Sequence, residues 1–250
     1  MTPASFPPHF FIRSILMRAF IITLIAISAL TIAASDSNAA DSDATPLKKG
    51  ERIVFLGDSI TQGGVSPKGY VTLIKNSLND KHKDLEIEVI GAGISGNKVP
   101  DLQKRLEKDV LMKKPTLVVI YIGINDVWHG ENDPARGTTK EKFEAGLVEI
   151  IGKIKDTGAR VVLCTPTVIG EKKSGANKLD ARLDEYAEIS RKVAKETKSQ
   201  LCDLRKAYSD YLAKNNGDDK EKGVLTTDGV HLNDAGNKLV AETILSVIDR

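Results

Sequence analysis

The 250-residue chain is poor in several residue types, and each shortage excludes a class of function. It has two cysteines, Cys164 and Cys202, and four histidines, and none of these is spaced like the ligands of a zinc site. Each cysteine sits in a strand-like apolar run, RVVLCTPT or QLCDLR. They are read as small, buried, free thiols, although an oxidising compartment would permit a bridge if they met. Aromatic residues make up only 5%, which argues against a platform for stacked nucleobases. Neither sign of charge dominates: 36 Lys and Arg face 34 Asp and Glu, scattered among one another, so there is no basic surface for nucleic acid. Repeats and low-complexity tracts are also missing. What remains, 41% hydrophobic and 28% charged, is the composition of one ordinary globular domain.

Long apolar runs are scarce as well. The one that stands out, Ala19 to Ala34, covers about 16 residues, short of the ~20 a spanning helix needs. Arg13 and Arg18 precede it, and the small residues Ser37, Ala39 and Ala40 follow. A positive start, a short apolar stretch and small residues at the end read as a secretory signal peptide over 1–40, cut after Ala39 or Ala40. A short linker over 41–47 then leads into a folded domain over 48–250. The expectation is a secreted or periplasmic protein with no stable membrane span once the leader is gone.

From Glu51 onward, strands and helices alternate. ERIVFLG, LEIEVIGAG, TLVVIYI, ARVVLCT and QLCDLR read as five strands. Between them, apolar residues recur at helical spacing: Tyr70, Leu73, Ile74 and Leu78; Val99, Leu102, Leu106 and Val110; Leu179, Leu183, Tyr186, Ile189 and Val193. Thr139 caps another helix that Gly158 stops, and Asn233 caps the last one. This alternation predicts parallel βαβ units with right-handed crossovers, the sheet covered on both faces. Sites in such sheets lie beyond the carboxyl ends of the strands. That rule selects Gly57–Ile60, Gly91–Asn97, Gly123–Asp126 and the segments after strands four and five. The longer loops at 130–138 and 170–178 are candidates to line a pocket.

Ser59 stands where the first strand must turn, in GDSITQGG, and can present its hydroxyl above the sheet edge. A serine hydroxyl is a poor nucleophile without a base. His9 lies in the leader, and His82, in KHKD, reads as part of a solvated loop. Asp228 precedes His231 by three residues in TTDGVHLNDAG, so one turn can set the carboxylate on one ring nitrogen and leave the other for the serine. Asp126 and His129 repeat that spacing, so the residues alone leave two candidate bases. Developing charge on a reacting oxygen needs fixed N–H donors. Gly96 in GISGN allows close approach of its backbone, and Asn125 in YIGINDV carries an amide at the end of the third strand. Asp58 reads as a turn residue binding backbone N–H groups. Trp128 and Tyr70 are candidates for sugar-stacking walls, with core packing the simpler role for each.

Four blocks, Gly57-Asp58-Ser59-Ile60, Gly93-Ile94-Ser95-Gly96-Asn97, Gly123-Ile124-Asn125-Asp126 and Asp228-Gly229-Val230-His231, resemble the SGNH hydrolase superfamily, the GDSL-type esterases and lipases, in order and over about 48–250. The resemblance implies an α/β fold: a three-layer α/β/α sandwich with a central parallel sheet of five strands in a flavodoxin-like order. It implies a nucleophile at Ser59, a base at His231 supported by Asp228, and an oxyanion hole from Ser59, Gly96 and Asn125, with no metal or organic cofactor. Gly229 and the helix after it match the fourth block, which favours His231 over His129. Ile60 stands where many members have Leu, and Gly91 where they often have Asn. The expected activity is that of an exported serine esterase acting through an acyl-enzyme on short acyl esters, including acetyl groups on polysaccharide. Lysophospholipids or other lipid esters, and a non-catalytic binding protein on the same fold, are the alternatives. Oligomeric state is left open.

Overall fold

In the computed structural model, which describes residues 46–173 and 175–250, five strands form one parallel sheet: β1 (Arg52–Gly57), β2 (Glu88–Gly93), β3 (Leu117–Tyr121), β4 (Arg160–Cys164) and β5 (Gln200–Cys202). The leader expected over 1–40 and most of the linker expected over 41–47 lie outside the described residues. The helices are α1 (Ser59–Gly64), α2 (Tyr70–Lys81), α3 (Val99–Asp109), α4 (Ile124–Trp128), α5 (Lys140–Lys155), α6 (Asp180–Glu196), α7 (Leu204–Asn215) and α8 (Asp234–Ile248).

The strand order is β2-β1-β3-β4-β5, the flavodoxin-like order. The chain moves outward from β1 to β2, then reverses past β1 to β3. Right-handed crossovers in opposite directions put their helices on opposite faces. Accordingly α3 packs on α5 and α5 on α6, while α2 packs on α8 and α8 on α7. The result is the three-layer α/β/α sandwich. Every residue of β3, LVVIY, is buried, as a central strand covered on both faces requires. The edge strand β2 is half open and ends in Gly91-Ala92-Gly93.

Each helix turns one apolar stripe to the sheet. On α2 these are Tyr70, Val71, Ile74 and Leu78, and on α5 Phe143, Leu147, Ile150, Ile151 and Ile154. Each such side chain, fully buried, stabilises the fold by roughly 1.5–3 kcal/mol relative to exposure. Thr139 caps α5 by accepting from the Lys142 N–H, and Gly158, at φ +84°, lies just past its end. Cys164 and Cys202 are register partners on β4 and β5; both are buried and free. No helix among the described residues is long and apolar enough to cross a membrane.

Two expectations need correction. The fifth strand does not run through Arg205. It ends at Cys202, and Asp203 accepts from the Lys206 N–H to start α7, a helix the sequence reading does not assign. Arg205 is buried and donates to Asp180, Asp184 and the Thr167 carbonyl, locking α7 to the start of α6. His82 is not simply solvated: its Nε2 lies 2.6 Å from Asp249, which also takes Lys81, joining the ends of α2 and α8.

Candidate active site

The order reversal leaves a crevice beyond the carboxyl ends of β1 and β3, and the residues singled out from the sequence lie around it. At the end of β1, Gly57 has no room for a side chain. A Cβ there would lie 2.1 Å from Thr61 Oγ1 and 2.5 Å from the Tyr121 carbonyl oxygen. That close packing brings the chain straight from strand into α1. Asp58 caps the helix, accepting from the Ile60 N–H at 2.9 Å, the turn role expected of it. Ser59 is then the first helical residue, in the turn whose N–H groups lack helical acceptors.

The partner of Ser59 comes from the far end of the chain. Ser59 Oγ lies 2.9 Å from His231 Nε2, and His231 Nδ1 lies 2.7 Å from Asp228 Oδ2. The other oxygen, Asp228 Oδ1, accepts from the N–H groups of Val230 and His231. Gly229 at φ +99° lets the turn close this tightly. Burial pushes the Asp228 carboxyl up, but hydrogen bonds from the His231 ring and the two N–H groups outweigh it and hold it below the usual carboxylate range. Roughly half of each side chain is open to solvent, 41% for His231 and 49% for Asp228, so a bulky ester can reach them.

This loop is fixed from beneath by Glu171, a residue that the sequence reading passes over. Its fully buried carboxylate accepts from the N–H groups of Val224, Leu225 and Thr226 at 2.7, 2.7 and 2.5 Å. Thr226 Oγ1 in turn accepts from Gly229 N, and the Gly229 carbonyl accepts from Gly170 N. Gln62 is a second such residue: its Oε1 accepts from the Ser95 N–H at 2.7 Å, tying α1 to the glycine loop. A lone acid in a loop and a glutamine in a short helix carry no local signal of these roles.

On the other side of the crevice, Gly96 adopts φ +75°, a conformation that favours glycine. The nearest atom to a Cβ placed there is His129 Cε1, at 3.9 Å. Asn125, at the start of α4, is 4% exposed. Its Nδ2 donates to the Asn97 carbonyl at 3.1 Å and reaches Asp58 Oδ2 at 3.4 Å. Burial, reinforced by the nearby Asp126, pushes the Asp58 carboxyl up to about 7. Gly91, where the family often has Asn, packs under Val65: a Cβ there would lie 2.3 Å from Val65 Cγ1.

The structure also separates the two Asp–His spacings. Asp126 is buried and spends Oδ1 on the Val99 N–H at the start of α3, not on His129. Among the described residues the His129 ring nitrogens have no hydrogen-bond partner; the ring lies against Trp128 with centroids 6.4 Å apart. Burial and the cations Lys98 and Arg136 hold His129 below its usual value. Tyr70 is no sugar wall: it is fully buried, hydrogen-bonded to Thr61 and set edge-on to Phe55 and Tyr121. Trp128 is half-buried against the core.

Comparison with known proteins supplies the family. The profile of the GDSL-like Lipase/Acylhydrolase family matches residues 55–239. An acetylxylan esterase of Geobacillus stearothermophilus is 32% identical over 213 residues, covering 80% of this chain and 94% of the relative. An isoamyl acetate-hydrolyzing esterase 1 homolog of Rattus norvegicus is 25% identical, covering 80% and 82%. Among solved structures, the acetyl xylan esterase AlAXEase is 45% identical, with a TM-score of 0.76 over 79% of this chain and 99% of that one. Four sequence blocks, a 2-1-3-4-5 parallel sheet and relatives matched over nearly their whole length place this chain in the GDSL-like lipase/acylhydrolase family of the SGNH superfamily, as a carboxylic ester hydrolase.

Proposed function

We propose that this enzyme is an exported serine esterase that removes short acyl groups, acetyl above all, from carbohydrate through an acyl-enzyme on Ser59. The observation that carries the reading is the hydrogen-bonded line Ser59–His231–Asp228. His231 Nε2 takes the Ser59 proton while Asp228 holds the proton on Nδ1 and stabilises the imidazolium. The serine oxygen attacks the ester carbon, and charge builds on the carbonyl oxygen. The N–H groups of Ser59 and Gly96 and the amide of Asn125 meet that charge, each donor contributing on the order of 3 kcal/mol. Of the two contacts of Asn125 Nδ2, the 3.4 Å one to Asp58 is the looser and is the one given up to the substrate oxygen. The alcohol leaves with the proton from His231. Water then repeats the attack with His231 as base, and the carboxylic acid departs.

The substrate class is supported by the relatives, which are described as acetylxylan esterases and an acetate-hydrolyzing esterase. It is also supported by the open setting of His231, which suits an ester carried on a polymer. Export is supported by the composition of residues 1–40. The test measures hydrolysis of p-nitrophenyl esters of increasing chain length, and acetate release from acetylated xylan, with Ser59→Ala as control. Turnover should be greatest on acetyl, occur on the polysaccharide, and vanish in Ser59→Ala. A preference for long acyl chains, or full activity in Ser59→Ala, would overturn the reading.

A further inference from the structure

Arg105, on the second turn of α3, is mostly buried and reaches two loops at once. Its Nη2 donates to the Gly57 carbonyl at 2.8 Å and its Nε to Asn97 Oδ1 at 2.7 Å, while Nη1 pairs with Asp109 on its own helix at 3.1 Å. Gly57 is the last residue of β1, two before Ser59, and its carbonyl also accepts from the Ile94 N–H. Asn97 follows Gly96, and its carbonyl holds the amide of Asn125. One rigid, planar guanidinium therefore spans the turn that carries the nucleophile and the loop that carries the oxyanion donors. A lysine cannot do this, having a single donating centre in place of a fork.

We propose that Arg105 is a positioning residue for the reaction: by binding the Gly57 carbonyl and the Asn97 side chain together, it sets the spacing between Ser59 and the donors at Gly96 and Asn125. The proposal rests on the serine-esterase reading above. Arg105 touches no substrate and acts through the two loops. Without it, the glycine loop keeps its bonds to Gln62 and to the Gly57 carbonyl and stays folded, but its donors lose their register on the nucleophile. A misplacement of about 1 Å in such a site can cost about 10²-fold in rate.

Arg105 also lines a surface cleft of about 330 Å³ with Ile90, Gly93, Ile94 and Asp109. That opening makes a chemical test possible. In Arg105→Ala, kcat on p-nitrophenyl acetate should fall by about 10²-fold with KM changed by less than about threefold. Added guanidinium, at concentrations below those that unfold the protein, should enter the cleft and restore part of kcat. Arg105→Lys should recover little. Asp109→Asn, which leaves both loop contacts in place, should keep near-normal kcat. Unchanged kcat in Arg105→Ala, or a loss that simply follows the unfolded fraction and does not respond to guanidinium, would overturn the proposal. If Arg105→Ala does not fold, Asn97→Ala decides in its place: it removes the side-chain target but keeps the carbonyl, and normal kcat there would overturn the proposal. Labelling of the unmodified enzyme with an organophosphonate keeps the two ideas apart. No adduct on Ser59 would sink the serine-esterase reading and this proposal with it, whereas normal labelling with indifferent Arg105 variants would sink the proposal alone.

Discussion

Asn125 Nδ2 donates to the carbonyl of Asn97 at 3.1 Å, so the start of α4, after β3, is bonded to the loop after β2 across β1, the strand that leads into Ser59. The amide is thereby held in one orientation, with its second hydrogen on a long contact to Asp58. Asn125→Ala should leave KM almost unchanged and lower kcat by about 10²–10³, the loss seen when one oxyanion donor is removed. Asn125→Asp should be worse, because it sets a carboxylate against both Asp58 and the developing oxyanion. Steady-state kinetics on an acetyl ester checks both; a loss confined to KM would show that Asn125 binds substrate without stabilising the transition state.

Glu171 makes a prediction about a residue far from the nucleophile in sequence and beneath the His231 loop in space. Three N–H groups point at its carboxylate. Glu171→Gln keeps one oxygen for Leu225 and Thr226 but turns an NH₂ group toward the Val224 N–H, donor against donor. The cost should be about 1–3 kcal/mol, read as a fall in Tm of about 2–4 °C per kcal/mol. Because the same backbone leads into Asp228, kcat should fall as well. A variant with wild-type Tm would mean that the buried carboxylate is dispensable.

What the sequence could reveal of this site follows a physical pattern. Asp228 and His231 are legible because one turn holds both, and three residues suffice to fix a carboxylate on a ring nitrogen. Gly57, Gly96 and Gly229 are legible because close packing or positive φ leaves little choice of residue. Glu171, Gln62 and Arg105 are different. Each binds backbone groups of a segment distant in sequence, and a polar side chain that does so looks locally like any exposed one. His231 is favoured over His129 already by the block around Gly229, and the coordinates add why Asp126 is no second partner: it spends its oxygen on the Val99 N–H. α7 is hidden for a related reason: Asp203, which reads as the polar end of a strand, is its cap.

The Asp228–His231 contact predicts a tautomer effect. Asp228→Asn can keep the bonds to the Val230 and His231 N–H groups through its remaining oxygen, so the turn should survive. Its NH₂ then faces His231 Nδ1 and forces the ring proton onto Nε2, where Ser59 needs an acceptor. Turnover should drop by up to about 10⁴ with KM little changed, while Tm should approach that of the parent at acid pH, where Asp228 is protonated, and lie below it at neutral pH. In the parent, the lowered pKa of Asp228 adds stability above the ordinary carboxylate range, and that contribution is lost as pH falls through the lowered value. The variant should lack that acid-side loss. Retention of more than about a tenth of kcat would argue that His231 is oriented by something other than Asp228.

Asp58 should act on stability with the opposite sign. Burial raises its pKa from 3.8 to about 7, with repulsion from Asp126 adding to this and the Ile60 N–H and His231 opposing it. Between those two values the folded protein binds more protons than the unfolded chain, so this group's contribution to stability falls as pH rises through the window and levels off above it. The full span corresponds to a few kcal/mol at most. Asp58→Asn removes the ionisable group and keeps an oxygen for the Ile60 N–H, but it sets an NH₂ against the Asn125 Nδ2 donor, a cost that does not depend on pH. Asp126, itself raised by burial to about 6, acts in the same direction in both proteins and loses only a repulsive neighbour in the variant. Asp228 and Asp249, both lowered, act oppositely and cancel in the comparison. The Tm of the variant relative to that of the parent should therefore rise between about pH 4 and about pH 8. If the difference between the two Tm curves stays flat across that range, Asp58 is ionised throughout and its burial costs the fold nothing that pH can relieve.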